Sequence, residues 1–300
     1  MNSRAFALFA LFMVQLLYGL NYTFSKTIIN DGFISATGLV IMRLLGATLL
    51  FWLVGFLFPK EKIDRKDYFT FLIAAIFGVV INMMFFLKGL ELTTPIHASS
   101  IMTITPIIIL ILSAFFLKEK ITTIRIIGII IAFAGAIYLT LNGDSLRKAD
   151  NVLLGNTFIL LNALSYSIYI IIIKKLTEKY HPFTFIKWLF LFGLLILLPY
   201  GYSDIAIIEW ESYTNYAWGS LIFVIVGATF GTYFLNPLAL KTLKASTVGV
   251  FIYLQPAIAG LFAVVMGVEK IEPVKLVAML FIFIGVYLVT LAPIKKKNIG

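Results

Sequence analysis

The sequence predicts an all-α polytopic membrane protein. Three observations support this fold class: 61% of the 300 residues are hydrophobic, only 13% are charged, and the mean hydropathy is +1.02. Soluble domains carry about 25% charged residues, so a water-soluble core could not absorb this much apolar surface. Apolar stretches of about 20 residues recur along the chain, and this is the length that a helix needs to cross about 30 Å of hydrocarbon.

Short polar connections separate ten apolar stretches, and the longer ones include "PKEKIDRKD" and "NGDSLRKADN". The predicted spans are, in chain order, residues 5–29, 35–58, 68–90, 96–117, 123–141, 152–176, 183–202, 216–240, 246–268 and 273–292. The first stretch is too long for the core of a signal peptide and has no small-residue cleavage site, so we expect it to remain as the first transmembrane helix.

Basic residues outnumber acidic ones, which gives a net charge of +10. In a soluble protein this excess would suggest a nucleic-acid partner. Here the Lys and Arg residues lie in short loops beside apolar spans, so we expect them to orient the chain and we expect no nucleic-acid partner. With an inner N-terminus, 17 Lys and Arg fall on the cytoplasmic side and six on the outer side. This bias predicts that both chain ends are cytoplasmic.

An internal repeat links the two halves of the chain. Residues 90–141 align without a gap on residues 240–291, with ten identities in 52 positions, and a weaker match joins Leu20 and Tyr22 to Leu164 and Tyr166. A repeat of five helices is odd, so its second copy must enter the membrane inverted. We therefore expect two inverted five-helix repeats, residues 1–145 and 146–300, as in many secondary transporters. The aligned identities include Pro106 with Pro256, Glu119-Lys120-Ile121 with Glu269-Lys270-Ile271, and Gly135 with Gly285.

The two repeated prolines are the first candidate site residues. Pro106 and Pro256 fall about ten residues into their predicted helices, which is close to the bilayer midplane at about 1.5 Å per residue. Each would remove a backbone hydrogen bond and free a carbonyl, that of Met102 or of Ile252. The alternative to a functional bend that lines a cavity is a kink that only improves packing.

Polar side chains inside the spans are the second group of candidates, because they are costly in lipid and usually face the bundle interior or water. Arg43 is the only charge deep inside a predicted span. It could clamp backbone carbonyls or attract the carboxylate of a solute. For any single Asn or Gln, interhelical hydrogen bonding is the competing role. The candidates for a solute pathway are Asn21, Tyr22, Arg43, Asn82, Tyr166, Tyr169, Asn236, Tyr253 and Gln255, together with Pro106 and Pro256.

Titratable residues are sparse within the spans. His97 and Glu91 lie at one predicted turn, where they could form a proton relay or simply be solvated. Glu119 and Glu269 precede the fifth and tenth spans. We expect the negative charge of each carboxylate to interact favourably with the dipole at the N-terminus of the helix that follows it. No Asp or Glu lies in the middle of a predicted span, so we expect transport not to depend on a buried carboxylate.

Enzymatic chemistry has no visible basis in the sequence. The chain contains no cysteine, and it has no metalloprotease, nucleophile-elbow or nucleotide-binding loop motif. We therefore predict no catalytic residue, no metal and no cofactor.

Four features stand out together: ten predicted spans in two halves, "LLYGLNYTFSK" in the first span, Arg43 in the second, and the segment 239–289 with "FIYLQPAIAG". In these features the chain resembles the EamA family of the drug/metabolite transporter superfamily. The resemblance implies a bacterial inner-membrane carrier, often an exporter of amino acids, related metabolites or drugs, that alternates access around a central cavity. The family's usual Trp-Gly in the first helix is Tyr18-Gly19 here. The small four-helix relatives use a membrane Glu in that helix, whereas this chain offers Gln15 and Asn21, so their proton-coupled cation export is not carried over.

The expected function is therefore secondary transport of small organic solutes, such as amino acids or related metabolites, through a midplane cavity. The main alternative is a lipid-handling flippase or a non-transporting membrane assembly subunit, and the third is a membrane enzyme. The expected partners are a small-molecule solute and the lipid bilayer, and a homodimer is an open alternative to a monomer.

Overall fold

The computed structural model describes residues 3–58, 60–93, 98, 101–141, 151–265 and 273–291. Within these residues the regular secondary structure is helical, without a strand, and six helices are long and apolar enough to cross a membrane. These six are α1 (Ser3–Asn30), α2 (Ala36–Gly55), α3 (Asp67–Leu92), α6 (Val152–Lys179), α7 (Pro182–Ala206) and α8 (Asn215–Thr242). Shorter apolar helices complete the order, namely α4 (Thr105–Phe116), α5 (Thr123–Leu141), α9a (Ala245–Phe251), α9b (Leu254–Val265) and α10 (Pro273–Leu291). The all-α polytopic prediction is confirmed, and ten crossings stay a prediction.

Capping residues fix where several of these helices begin. The Ser35 hydroxyl accepts from Gly38 N at 2.9 Å, and it also donates to Asp204 Oδ1 at 2.6 Å. Thr214 caps α8 in the same way, since its hydroxyl accepts from Ala217 N at 3.2 Å. These bonds satisfy amide groups that the first turn of a helix leaves without a partner.

Hydrogen bonds at the helix ends reveal the direction of each helix in the bundle. Lys26 Nζ in α1 donates to Leu90 O at 2.7 Å, so α1 and α3 end on the same side. Thr93 after α3 donates to Asn156 Oδ1 of α6 at 2.8 Å, so α6 begins on that side. The chain after α6 reaches the opposite end of α3, where Tyr180 OH accepts from Asp64 N at 3.1 Å. Helices α1 and α6, the first helices of the two predicted repeats, therefore run in opposite directions.

The contacts between helices follow the same relation. Helix α1 packs against α8 and α9b, and α6 packs against the corresponding helices of the other half, α3 and α4. Helix α2 packs against its counterpart α7, and α5 packs against its counterpart α10. Each packing pair is thus matched by a pair with the two halves exchanged.

Two π-helical segments also occupy matching positions. One covers Ile76–Ile81 within α3, and the other covers Phe223–Gly231 within α8. The first segment, shifted by 150 residues, falls on residues 226–231 within the second. A π-helical turn disturbs the regular hydrogen-bond ladder and often marks a functional site. In α3 the carbonyl of Phe77 accepts from the Ser165 hydroxyl at 2.6 Å, and that of Gly78 accepts from the Tyr233 hydroxyl. These two bonds connect the π-helical turn of α3 to α6 and α8.

The prolines interrupt their helices, which corrects the prediction of a kink within a continuous span. Pro106 lies in the first turn of α4, after a turn at residues 103–104, and Pro256 lies in the first turn of α9b, after a turn at residues 252–253. The missing amide of proline costs nothing there, because the first turn has no intrahelical acceptor to lose. The Ile252 carbonyl is not free as predicted, since it accepts from Gln255 N at 3.0 Å.

Glu119 binds a helix of the other half in addition to the helix that follows it. It pairs with Arg125 of α5 at 3.7 Å, and it accepts from Ala245 N at 2.8 Å and from the Ser246 hydroxyl at 2.5 Å, at the start of α9a. Arg125 donates to the same Ser246 hydroxyl at 2.8 Å. The acid therefore joins the two halves at one end of the bundle. Its repeat equivalent, Glu269, lies outside the described residues.

Candidate functional site

A polar cavity lies between the two halves of the bundle. It encloses about 490 Å³ of space without protein atoms, counting the part that opens toward solvent. Both halves contribute to its wall, and Met102 and Ile252 bring the two helix interruptions to it from equivalent positions. The lining residues are Tyr18, Asn21, Tyr22, Arg43, Asn82, Met83, Phe86, Met102, Asn162, Tyr166, Tyr233, Ile252 and Gln255.

Arg43 supplies the positive charge of this cavity. Its side chain is only 4% exposed, and Nε donates to the Thr229 hydroxyl at 2.8 Å. That hydroxyl donates in turn to Val224 O at 2.7 Å within the π-helical segment of α8. The Nη1 atom of Arg43 is buried and has no hydrogen-bond partner among the described residues. The guanidinium is thus held from one side and keeps donor capacity on another.

Amide side chains connect α1 to α9b at the cavity wall. Gln255 Oε1 accepts from the Tyr22 hydroxyl at 3.2 Å, and Gln255 Nε2 donates to Gln15 Oε1 at 2.7 Å. On the same helix as Tyr22, Asn21 Oδ1 accepts from the Ser25 hydroxyl at 3.0 Å. Tyr22 and Gln15 of the first span therefore share Gln255 as a partner, and Asn21 has a separate partner within α1.

A second amide network connects α6, α3 and α8. Asn162 Nδ2 donates to the backbone carbonyl of Asn82 at 2.7 Å, and Asn82 Oδ1 accepts from the Tyr233 hydroxyl at 3.3 Å. Asn162 Oδ1 is buried without a partner among the described residues. This network leaves one hydrogen-bond acceptor unused next to the cavity.

The structure brings together six of the predicted site residues in the cavity wall: Asn21, Tyr22, Arg43, Asn82, Tyr166 and Gln255. The other five predicted pathway residues do not line it. Asn236 lies behind the wall, where Nδ2 donates to the Tyr166 hydroxyl at 2.7 Å. The ring of Tyr169 packs against Gly78, and Tyr253 is buried beside Phe133. Pro106 and Pro256 lie one turn beyond Met102 and Ile252, which do reach the cavity.

The lining also contains residues that were not among the predicted site residues. Tyr18 lies four residues before Tyr22, and Asn162 lies four residues before Tyr166, so each pair shares one helix face. Tyr233 was also missed. This helical spacing was the available signal for Tyr18, whereas Asn162 is itself a polar residue inside a predicted span.

Acidic side chains are absent from the lining as the structure describes it. The described Asp and Glu residues lie in connections or near helix ends, in agreement with the expectation for mid-span carboxylates. Glu91 forms an ion pair with Lys88 at 3.2 Å at the end of α3, and both side chains are about one third exposed. His97 lies outside the described residues, so the relay with Glu91 stays a prediction. The described residues include no group of three or more His, Cys, Asp or Glu that could hold a metal ion.

Comparison with known proteins gives a family and a fold. The family model described as "EamA-like transporter family" matches residues 5–141 and 153–291. An uncharacterized transporter of Archaeoglobus fulgidus is 26% identical over 272 residues, which cover 91% of this chain and 94% of that protein. The uncharacterized transporter YetK of Bacillus subtilis is 25% identical over 260 residues, 86% of this chain and 78% of its own. One solved crystal structure superimposes with a TM-score of 0.75 at 16% identity and covers 96% of both chains, which shows the shared fold.

Proposed function

The chain belongs to the EamA-like transporter family, and from this premise we propose that it is a secondary transporter of small polar organic solutes, amino acids or related metabolites included. The observation that carries the proposal is the polar cavity between the halves, because it gathers one cation, four tyrosines and four amides in an otherwise apolar bundle. Polar groups are costly within a membrane, so those found there usually face the bundle interior or a water-filled cavity and mark a solute pathway. The proposal includes no catalytic step.

Alternating access around this cavity is supported by the symmetry of the bundle. We propose that the two halves, residues 1–145 and 146–300, are inverted five-helix repeats that together give ten crossings. The opposite directions of α1 and α6 and the matched helix pairs favour this arrangement. The two helix interruptions meet the cavity at equivalent positions, as do the discontinuous helices of other inverted-repeat transporters. Either half could then open the cavity toward its own side.

Orientation in the membrane follows from the distribution of basic residues. We propose that both chain ends face the cytoplasm across the inner membrane and that the solute is exported. The bond from Arg4 Nη2 to Thr290 O, at 2.5 Å, supports a common side for the two ends. The excess of Lys and Arg in loops on that side supports its being cytoplasmic.

The direct test is solute flux in proteoliposomes that contain only the purified chain. We expect flux of at least one small polar metabolite from a panel that includes amino acids, hydroxy acids and dicarboxylates, above the level of protein-free liposomes. A chemically altered product would indicate an enzyme instead. Absence of flux for the whole panel, in protein that is folded and inserted, would contradict the proposal.

Lipid handling is the second candidate function, because an apolar recess lies beside the polar cavity. The recess is formed by α5, α6 and the segment 101–104 before α4, with Ile101, Ile104, Phe133, Ile137 and Leu160 among its walls. The segment 101–104 lies between the two spaces, since Ile101 and Ile104 line the recess and Met102 lines the cavity. Movement of a fluorescent phospholipid between the leaflets of the same proteoliposomes, without solute flux, would favour this function.

Membrane topology gives a separate prediction. We expect the equivalent loops that hold Glu119 and Glu269 to lie on opposite faces, because the repeat has five helices. The chain has no cysteine, so Lys120→Cys and Lys270→Cys each provide a single labelling site. In intact cells an impermeant maleimide should label only one of the two, and permeabilisation should be needed for the other. Labelling of both in intact cells would contradict the inverted repeat.

A further inference from the structure

We propose that the central cavity binds a small carboxylate with a net charge of minus one that also carries a neutral hydrogen-bond donor, and that it prefers this solute to the corresponding zwitterionic amino acid. The inference rests on the proposed function, because it names the solute class of that same cavity. It depends on two buried atoms without partners, one on each half of the chain, and on the charge of the lining.

The first atom is the donor Nη1 of Arg43. Since Nε is held by Thr229 and the side chain is 96% buried, the guanidinium cannot turn away to solvent without losing that bond. A buried cation without an anionic partner is unfavourable, and a carboxylate in the cavity would supply the missing negative charge. The planar donor fork of arginine matches the two oxygens of a carboxylate. The cavity therefore favours a solute with an anionic end.

The second atom is the acceptor Oδ1 of Asn162, a residue only 2% exposed. The orientation of this amide is fixed, because Nδ2 must face the Asn82 carbonyl to which it donates at 2.7 Å. Turning the amide over would put two acceptor oxygens against each other. Asn162 Oδ1 is thus committed to accepting, and a donor on the solute can pair with it.

The charge balance of the lining selects between a neutral and a cationic donor. Arg43 is the one charged residue in the described lining, so a monoanion brings the cavity and its solute to neutrality. A zwitterion would leave the charge of Arg43 uncompensated overall, and its ammonium would meet an amide oxygen instead of a carboxylate. Charges in a low-dielectric site are stabilised chiefly by opposite charges. A neutral hydroxyl needs no opposite charge, since a neutral acceptor such as the amide oxygen of Asn162 satisfies its hydrogen bond.

Four probes of similar size separate these contributions: L-lactate, L-alanine, L-lactamide and propionate. Alanine has an ammonium group where lactate has a hydroxyl. Lactamide lacks the negative charge of lactate, and propionate lacks its hydroxyl donor. Binding is measured by calorimetry on the full chain in lipid nanodiscs. We expect lactate to bind about tenfold or more tightly than alanine and lactamide, because each of these loses a charge-assisted contact. We expect lactate to bind about 2- to 10-fold more tightly than propionate, because propionate lacks one neutral hydrogen bond.

Asn162→Leu assigns the donor preference to its residue. This variant should bind lactate and propionate with equal affinity, whereas Asn156→Leu, which removes an amide from the same helix outside the central cavity, should keep the preference for lactate. Loss of the preference in both variants, or in neither, would contradict the role of Asn162. Melting temperatures of the two variants show that the comparison is made on folded protein.

The remaining outcomes are also decisive. Alanine binding as tight as lactate would overturn the charge preference, and lactamide binding as tight as lactate would overturn the anion site. No binding of any probe up to about 10 mM, above the usual range of solute affinities, would overturn the assignment to small carboxylates. If the order of binding holds but proteoliposomes show no flux, the site stands and the transport function fails. If other solutes are transported and the order is reversed, only the present inference fails.

Discussion

Replacing Arg43 with Gln is expected to abolish most solute flux, whereas replacing it with Lys should retain a measurable part. Gln keeps hydrogen-bonding capacity but loses the charge, and Lys keeps the charge but loses the planar fork. A hydrogen bond to a charged group contributes about 1.5–3 kcal/mol, which corresponds to about 10- to 100-fold in affinity. Initial rates in proteoliposomes, normalised to inserted protein, measure the difference.

The matched control for this pair is Arg4→Gln, the same replacement at the end of the bundle, where Arg4 bonds Thr290 O rather than lining the cavity. We expect this variant to keep its flux. Equal loss of flux in Arg43→Lys and Arg43→Gln, together with poor insertion or a lowered melting temperature in both, would assign Arg43 to structure. In that case the guanidinium would serve as a clamp on the π-helical segment of α8 through Thr229.

Gly285→Ala is expected to cause a large loss of folded protein. A Cβ at this position would lie 2.4 Å from Gly128 O and 2.5 Å from Ala132 N, both backbone atoms of α5. No side-chain rotation can relieve such a contact, so α10 and α5 must separate. Overpacking of this kind costs about 1–3 kcal/mol. We expect the melting temperature to fall by about 5 °C or more.

Gly219→Ala is the matched control, because a Cβ on Gly219 meets nothing within 4 Å. Alanine is also the better helix former, so this variant should be as stable as the parent or slightly more stable. The fraction of monodisperse protein on size exclusion and the melting temperature compare the two variants. A Gly285→Ala protein as stable as the Gly219→Ala protein would mean that α5 and α10 are not in close contact.

Much of the fold could be predicted from the sequence because the bilayer imposes a simple rule on it. A helix that crosses hydrocarbon must be apolar for about 20 residues, and this pattern is readable without any partner. Repeated residues 150 positions apart, such as Pro106 and Pro256, also indicated that the halves are related. Their local effect could not be read so easily, since proline is compatible with a kink as well as with a new helix start.

The candidate site was only partly predictable for a different reason. Arg43 and Tyr22 were recognisable because a polar group in an apolar span needs an explanation by itself. Asn162 is polar in the same way, Tyr18 required the helix phase, and the bond of Glu119 to α9a required knowledge of a partner 126 residues away. Sequence proximity suggested that this acid would lie beside α5, where it pairs with Arg125, and the bundle also brings the start of α9a to it. Contacts between the halves depend on the three-dimensional arrangement, which a single sequence does not encode in any local pattern.

The paired π-helical segments have a consequence for how such a chain tolerates insertions and deletions. One extra residue in a helix turns everything after it by about 100° around the axis, because an α-helix has 3.6 residues per turn. In α3 the segment Ile76–Ile81 immediately precedes Asn82, Met83 and Phe86, which all face the cavity. A π-helical turn holds one residue more than an ordinary turn and so absorbs this rotation locally. Deleting one residue within the segment would restore an ordinary helical turn and leave these three side chains facing the cavity, whereas a deletion in the regular part of α3 would turn its two parts against each other by about 100°. The π-helical segment is therefore the place where α3 can lose a residue without a change in the side chains that the solute meets.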